Sequence, residues 1–177
     1  MEAANENRRY RPGDMTREAF LEIFGGVYEH SPWIAEAVFA NGLTGNHNSI
    51  AGLHNALRQA VDDSDRERQL DLLRAHPDLA GKLAVAGELT IESTAEQASA
   101  QLDQCSPAEF QEFQTLNDRY KQKFEFPFIL AVRGRNRQEI LENFRIRAEH
   151  DPETEFAEAL RQVHRIALLR IEALFQE

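Results

Sequence analysis

The chain has little sulfur, little basic charge and no long apolar run, and each shortage removes a class of function. Its single cysteine, Cys105, has no internal disulfide partner, which fits a reducing compartment. Cys105 stands between Gln104 and Ser106 with no activating base beside it in sequence, so a structural thiol is the simpler reading than a nucleophile. No apolar stretch approaches the ~20 residues that span a bilayer, so a membrane protein is not expected. Lys and Arg number 20 against 30 Asp and Glu, a net charge of −10, which argues against nucleic acid as a partner. A protein this acidic can hold a small anion only by placing a cation locally. A glycine-rich phosphate loop is missing as well. His47 and His54, seven positions apart, have no third ligand at a recognisable metal spacing, so no metal is expected.

What remains is a chain of 177 residues with 42% hydrophobic and 28% charged residues, the size and balance of one globular domain. Residues 1–13 form a polar arm carrying Glu2, Glu6, Arg8, Arg9 and Arg11. The arm lacks the apolar middle of a secretory signal, and residues 14–177 are read as a single helical domain. The ending Phe175-Gln176-Glu177 is not a peroxisomal address, so a cytoplasmic setting is expected.

Helix punctuation recurs along the chain. Thr16 can cap a helix through Phe20, Ile23 and Phe24, and Ser31-Pro32 reads as an N-cap followed by proline, with Gly42 ending that helix. Ile50, Leu53, Leu57 and Val61 repeat at helical spacing. Capping-box patterns occur at Ser64/Glu67, Ser93/Glu96, Ser106/Glu109 and Asn136/Glu139, and a last helix begins near Asp151-Pro152. Only Phe126–Val132 is apolar and non-helical, and Pro127 makes it a poor central strand. The fold class is all-α: a single-domain bundle of roughly seven to eight helices with no significant sheet.

Three places resist a purely structural reading. Phe156, Leu160, Val163, Ala167 and Leu174 share one face of the last helix, and Arg170 falls on the same stripe. A guanidinium there needs an internal glutamate, an escape to the rim, or an anionic ligand. His76, in Arg74-Ala75-His76-Pro77-Asp78-Leu79, sits where Pro77 stops a helix; it is either a C-terminal cap or a proton-transfer group held in direction by Pro77. Ser93-Thr94-Ala95-Glu96-Gln97 opens as a capping box, yet a helix start also presents N–H groups to a carboxylate or carbonyl oxygen.

Several segments, in order, resemble one family. They are Tyr28-Glu29-His30-Ser31-Pro32-Trp33, then His76-Pro77-Asp78-Leu79-Ala80-Gly81-Lys82, Ser93-Thr94-Ala95-Glu96-Gln97, Leu116-Asn117 with Tyr120, Phe126-Pro127-Phe128-Ile129, and the last helix with Ile166 and Arg170. The set covers roughly residues 16–175 and is similar to the 2-oxo-4-hydroxy-4-carboxy-5-ureidoimidazoline (OHCU) decarboxylases. The resemblance implies an all-helical, often homodimeric enzyme without metal or organic cofactor, converting OHCU to (S)-allantoin at the end of urate degradation. It implies that His76, Glu96 and Arg170 are the catalytic groups. Pro77, Ser93, Thr94, Ala95, Glu96, Gln97, Phe128, Ile129, Leu130, Ala131, Val132 and Arg170 would contact the substrate. Two departures stand out: the family often has glycine where this chain has Glu125 and Gln101. Two rivals make other demands. A helical docking module would pair Arg170 internally and form no polar pocket at His76, and a metal-dependent hydrolase would use His47, His54 or His76.

Overall fold

The structure, a computed structural model, describes residues 10–81 and 89–176. Residues 1–9 of the polar arm and Lys82 of the His76-Pro77 motif lie outside the described residues. Eight α-helices and no strand occur among the described residues: α1 (Arg17–Phe24), α2 (Trp33–Ala40), α3 (Ile50–Asp62), α4 (Arg66–Arg74), α5 (Ile91–Ser99), α6 (Pro107–Phe124), α7 (Arg137–Ala148) and α8 (Pro152–Gln176). The all-α expectation and its helix number hold. No helix among these residues is long and apolar enough to cross a membrane.

Most helix starts fall where capping chemistry places them. Thr16 accepts from Ala19 N–H at the head of α1, and Ser106/Glu109 and Asn136/Glu139 form reciprocal capping boxes at α6 and α7. Three starts differ. Ser31 donates its hydroxyl to the Glu29 carbonyl instead of capping, and α2 begins after Pro32 without a side-chain cap. Asp65, not Ser64, accepts from Arg68 N–H at α4, while the Ser64 hydroxyl turns back to the Val61 carbonyl. At α5 the cap is Thr90, which accepts from Ser93 N–H, so Ser93 and Glu96 lie within the helix. In each case a neighbouring side chain of equal capping chemistry, or a competing carbonyl, decides the boundary.

The described residues form two compact units, one of residues through Leu72 with those from His164 onward, the other of Leu73–Val163. The first is built on α3, whose Leu53, Leu57 and Val61 are fully buried together with Phe20 of α1 and Ile171 of α8. Burial of each such side chain contributes about 1.5–3 kcal/mol. Of the arm, Tyr10 packs edge-on against Phe24 and Phe175, at 6.0 and 6.5 Å between ring centroids. Gly42 follows α2 at φ +91°, a left-handed position that glycine occupies without strain.

The second unit centres on an aromatic cluster. Phe128 stacks on Phe144 of α7 with centroids 3.9 Å apart, and Tyr120 of α6 meets Phe128 edge-on at 5.5 Å. Phe126–Val132 is wholly buried irregular backbone, as Pro127 led one to expect. Its backbone polar groups therefore need partners other than a strand ladder. Arg147 donates to the Ile129 carbonyl at 2.6 Å, Gln162 accepts from Ala131 N–H at 3.1 Å, and Arg135 donates to the Ala131 carbonyl at 3.2 Å.

Candidate active site

His76 stands two residues past the end of α4, where its N–H closes the final turn on the Leu73 carbonyl at 3.2 Å. The Pro77 ring then prevents the helix from continuing. Only 9% of His76 is exposed. With Pro77 it forms part of the wall of a cavity of about 370 Å³, a volume in the range of small-molecule sites. The wall is polar: Arg74 and Lys121 bring positive charge, Asp78 and Asp118 negative charge, and Gln114 an amide. Lys121 pairs with Asp78 at 2.7 Å, so the two charges hold each other at the cavity.

On α5, Ser93 and Gln97 are buried, Glu96 is half-buried, and Thr94 and Ala95 face outward. Because Thr90 takes the Ser93 N–H, that amide is not offered to a ligand. Gln97 reaches the turn that follows His76, accepting from Ala80 N–H at 3.0 Å and donating to the Asp78 carbonyl at 3.3 Å. Phe128, Ile129, Leu130, Ala131 and Val132 are all buried in the second unit, held through their backbone as described.

Arg170 belongs to the first unit and is 6% exposed. Its Nη2 donates to Glu29 Oε2 at 2.7 Å and its Nη1 to the Val27 carbonyl at 3.3 Å. The stripe thus does bury the guanidinium, and an internal glutamate meets it. Arg161 and Arg165, off the stripe, are exposed.

Two buried polar clusters escaped the sequence reading. Glu155, fully buried, accepts from the Tyr120 hydroxyl at 2.5 Å and Arg147 Nε at 2.7 Å, with His150 Nδ1 at 3.1 Å. Burial and the Glu155 carboxylate push the Tyr120 phenol far above its ordinary range. In the first unit, His164 joins the Tyr28 hydroxyl at 2.8 Å to Asp62 at 3.2 Å. Burial lowers the His164 pKa against the opposing pull of Asp62. The one available signal was position: Glu155 precedes Ala159 by four and Gln162 by seven, on a buried face of α8.

His47 accepts from Thr44 N–H in a short 3₁₀ turn, and His54 bonds the His164 carbonyl, so neither points to a shared ligand. Among the described residues no group of three or more His, Cys, Asp or Glu is placed to hold a metal ion. Burial raises the Cys105 pKa, and its Sγ lies 3.3 Å from the Leu102 carbonyl, an arrangement that favours the unreactive thiol.

Comparison with known proteins locates these residues in one lineage. Residues 13–172 match the family described as OHCU decarboxylase. A 2-oxo-4-hydroxy-4-carboxy-5-ureidoimidazoline decarboxylase of Haloferax volcanii is 43% identical over 158 residues, covering 89% of this chain and 90% of the relative. The uric acid degradation bifunctional protein PucL of Bacillus subtilis is 37% identical over 163 residues, 92% of this chain but 32% of that protein. The crystal structure of an (S)-allantoin synthase superposes with a TM-score of 0.72 at 32% identity, covering 93% of this chain and 52% of that one.

Proposed function

The chain belongs to the OHCU decarboxylase family, and from that premise we propose that it decarboxylates OHCU to (S)-allantoin in urate degradation, with His76 as the proton donor. The observation that carries this reading is the placement of His76 and Pro77 in the wall of a polar cavity of about 370 Å³. A docking module has no use for such a cavity.

Cleavage of the bond to the carboxylate leaves an electron pair on a ring carbon, and the adjacent C=N system of the substrate delocalises it. The substrate is its own electron sink, so the reaction proceeds without a cofactor. The tasks left to protein are to turn the carboxylate out of the ring plane, stabilise the developing charge and deliver one proton to one face. His76 engages the substrate hydroxyl or carboxylate and donates that proton. Glu96 orients His76 or accepts from the substrate hydroxyl and ring N–H groups. Arg170 pairs with a substrate oxygen, and Glu29 keeps its guanidinium in one orientation for the purpose. Pro77, the Ser93–Glu96 stretch of α5 and Phe128–Val132 enclose the ring and ureido group. The enzyme works as a cytoplasmic homodimer.

OHCU decays spontaneously, so disappearance of substrate alone says little. One-handed product does, because it requires a chiral proton source. Purified protein supplied with fresh OHCU is expected to accelerate its loss and yield optically active allantoin, and His76→Asn to abolish both while helix content is kept. Racemic allantoin formed at the uncatalysed rate would reject the assignment.

A further inference from the structure

The three residues after the His76-Pro77 pair are held by side-chain amides from two helices. Gln97 of α5 accepts from Ala80 N–H at 3.0 Å and donates to the Asp78 carbonyl at 3.3 Å, bridging the two ends of the turn. Asn117 of α6 donates to the Leu79 carbonyl at 3.0 Å, and Gln114, one helical turn earlier, donates to the Ala80 carbonyl at 2.8 Å. Gln97 and Asn117 are 4% and 1% exposed, so water does not compete for these bonds.

The turn they hold is not a relaxed one. Ala80 sits at φ +50°, a left-handed position that strains an L-residue. A Cβ added at Gly81 would meet the Asp78 Cβ at 2.7 Å, so the chain doubles back tightly here. Strained backbone persists only where its surroundings over-determine it. Asn117 adds a second sign of the same kind. Its Oδ1 is buried without a hydrogen-bond partner among the described residues. The desolvation cost of such a group offsets much of what the amide gains by satisfying the buried Leu79 carbonyl. Stability alone does not explain asparagine at this position.

We infer that Gln97 and Asn117 are positioning residues for the reaction: as an amide clamp on Asp78–Ala80, they fix the direction in which the His76 imidazole leaves the end of α4. One side of His76 is anchored by its N–H bond to Leu73, and the clamp anchors the other side through Pro77. Both ends of the Gln97 amide are spent on protein backbone, so this side chain serves the histidine loop and not the substrate. The inference rests on the reading of His76 as the catalytic imidazole.

Gln97→Met and Asn117→Leu keep side-chain shape and remove the clamp. Each is expected to lower kcat about 10- to 100-fold with KM within about 3-fold of wild type, since a small misplacement of a reacting group can cost that much. Amide hydrogen exchange at Ala80 is expected to quicken in Gln97→Met, and Asn117→Leu to keep a resistance to urea near that of wild type, since it removes one unpaired buried atom and creates another. The double variant is expected to lose less than the product of the single losses, because both residues act on one turn. A rise in KM at unchanged kcat for Gln97→Met would make it a substrate ligand and overturn the inference, as would unchanged kinetics in both. Loss of stability in parallel with kcat for Asn117→Leu would reduce that residue to a structural role. Should Gln97→Met not fold, Gln97→Glu keeps the acceptor half of the clamp and must give an intermediate kcat; a wild-type value overturns the inference. If wild-type protein makes only racemic product, the proposed function fails, while Ala80 exchange still shows whether the clamp exists.

Discussion

Arg170 and Glu29, 141 positions apart in the chain, form a buried ion pair: Nη2 lies 2.7 Å from Oε2, with the side chains 6% and 1% exposed. Two charges withdrawn from water together contribute little net stability, but removing one leaves the other stranded. The pair is therefore better understood as a device that holds a guanidinium in place than as a source of fold energy.

Stability and turnover should separate at this pair. Glu29→Ala is expected to destabilise the protein by about 3–5 kcal/mol, because it removes the carboxylate that compensates a buried guanidinium. The combined Glu29→Leu, Arg170→Met variant is expected to recover most of that loss in urea unfolding while staying inactive on OHCU. Full turnover in the double variant would remove Arg170 from the substrate.

The Glu155 cluster should behave as one unit. With its pKa driven upward, the Tyr120 phenol is a permanent donor to Glu155, and Tyr120→Phe is expected to cost about 1–3 kcal/mol. Glu155→Ala also leaves Arg147 uncompensated and is expected to cost about 3–5 kcal/mol. Since Arg147 holds the Ile129 carbonyl, amide exchange at Ala131 should quicken in Glu155→Ala; unchanged exchange there would show that the segment has other anchors.

Acid sensitivity should trace in part to His164, whose pKa burial lowers. The unfolded chain takes up this proton near its ordinary value of about 6.5, whereas the folded chain does so only at lower pH. The contribution is therefore complete above that value and shrinks as pH falls towards the folded-state pKa, with a limiting slope of about 1.4 kcal/mol per pH unit. His164→Gln is expected to flatten the stability profile between pH 7 and 5 relative to wild type. Parallel profiles would show that His164 titrates alike in both states.

Glu125 and Gln101 sit at φ +64° and +60°, left-handed positions that glycine occupies without strain. Glu125→Gly and Gln101→Gly are each expected to raise stability by about 0.5–1 kcal/mol, less than the full left-handed penalty because glycine is freer when unfolded. The Arg74 and Arg137 bonds at these positions go to main-chain carbonyls and survive the change. A fall in thermal midpoint would mean that the side chains contribute more than the backbone strain costs.

These positions also mark what the sequence does and does not disclose. Helix starts were readable where one side chain monopolises the capping role, as at Thr16, Ser106 and Asn136. They shifted where two neighbours compete: at α5, Thr90 and Ser93 are equally suited chemically, and the start at Thr90 leaves Ser93 and Gln97 on the buried face. His76 was legible because Pro77 ends a helix beside it. The task of Gln97 was not, because its partners lie 17 and 19 positions earlier, and periodicity reports which face is buried but not what that face touches. The Glu155 cluster was hidden for the same reason, since it joins α6, α7 and α8 through side chains that each look ordinary in isolation.

The Phe126–Val132 run has a consequence for synthesis. Phe-Pro-Phe-Ile-Leu-Ala-Val is an apolar stretch, and such surface promotes aggregation while it is left bare. Its main-chain anchors, Arg147 and Gln162, come 18 and 31 residues downstream of the groups they secure. A ribosome therefore releases the sticky run before either guard exists, and truncated products ending ahead of α7 should be the ones that clump or recruit chaperones.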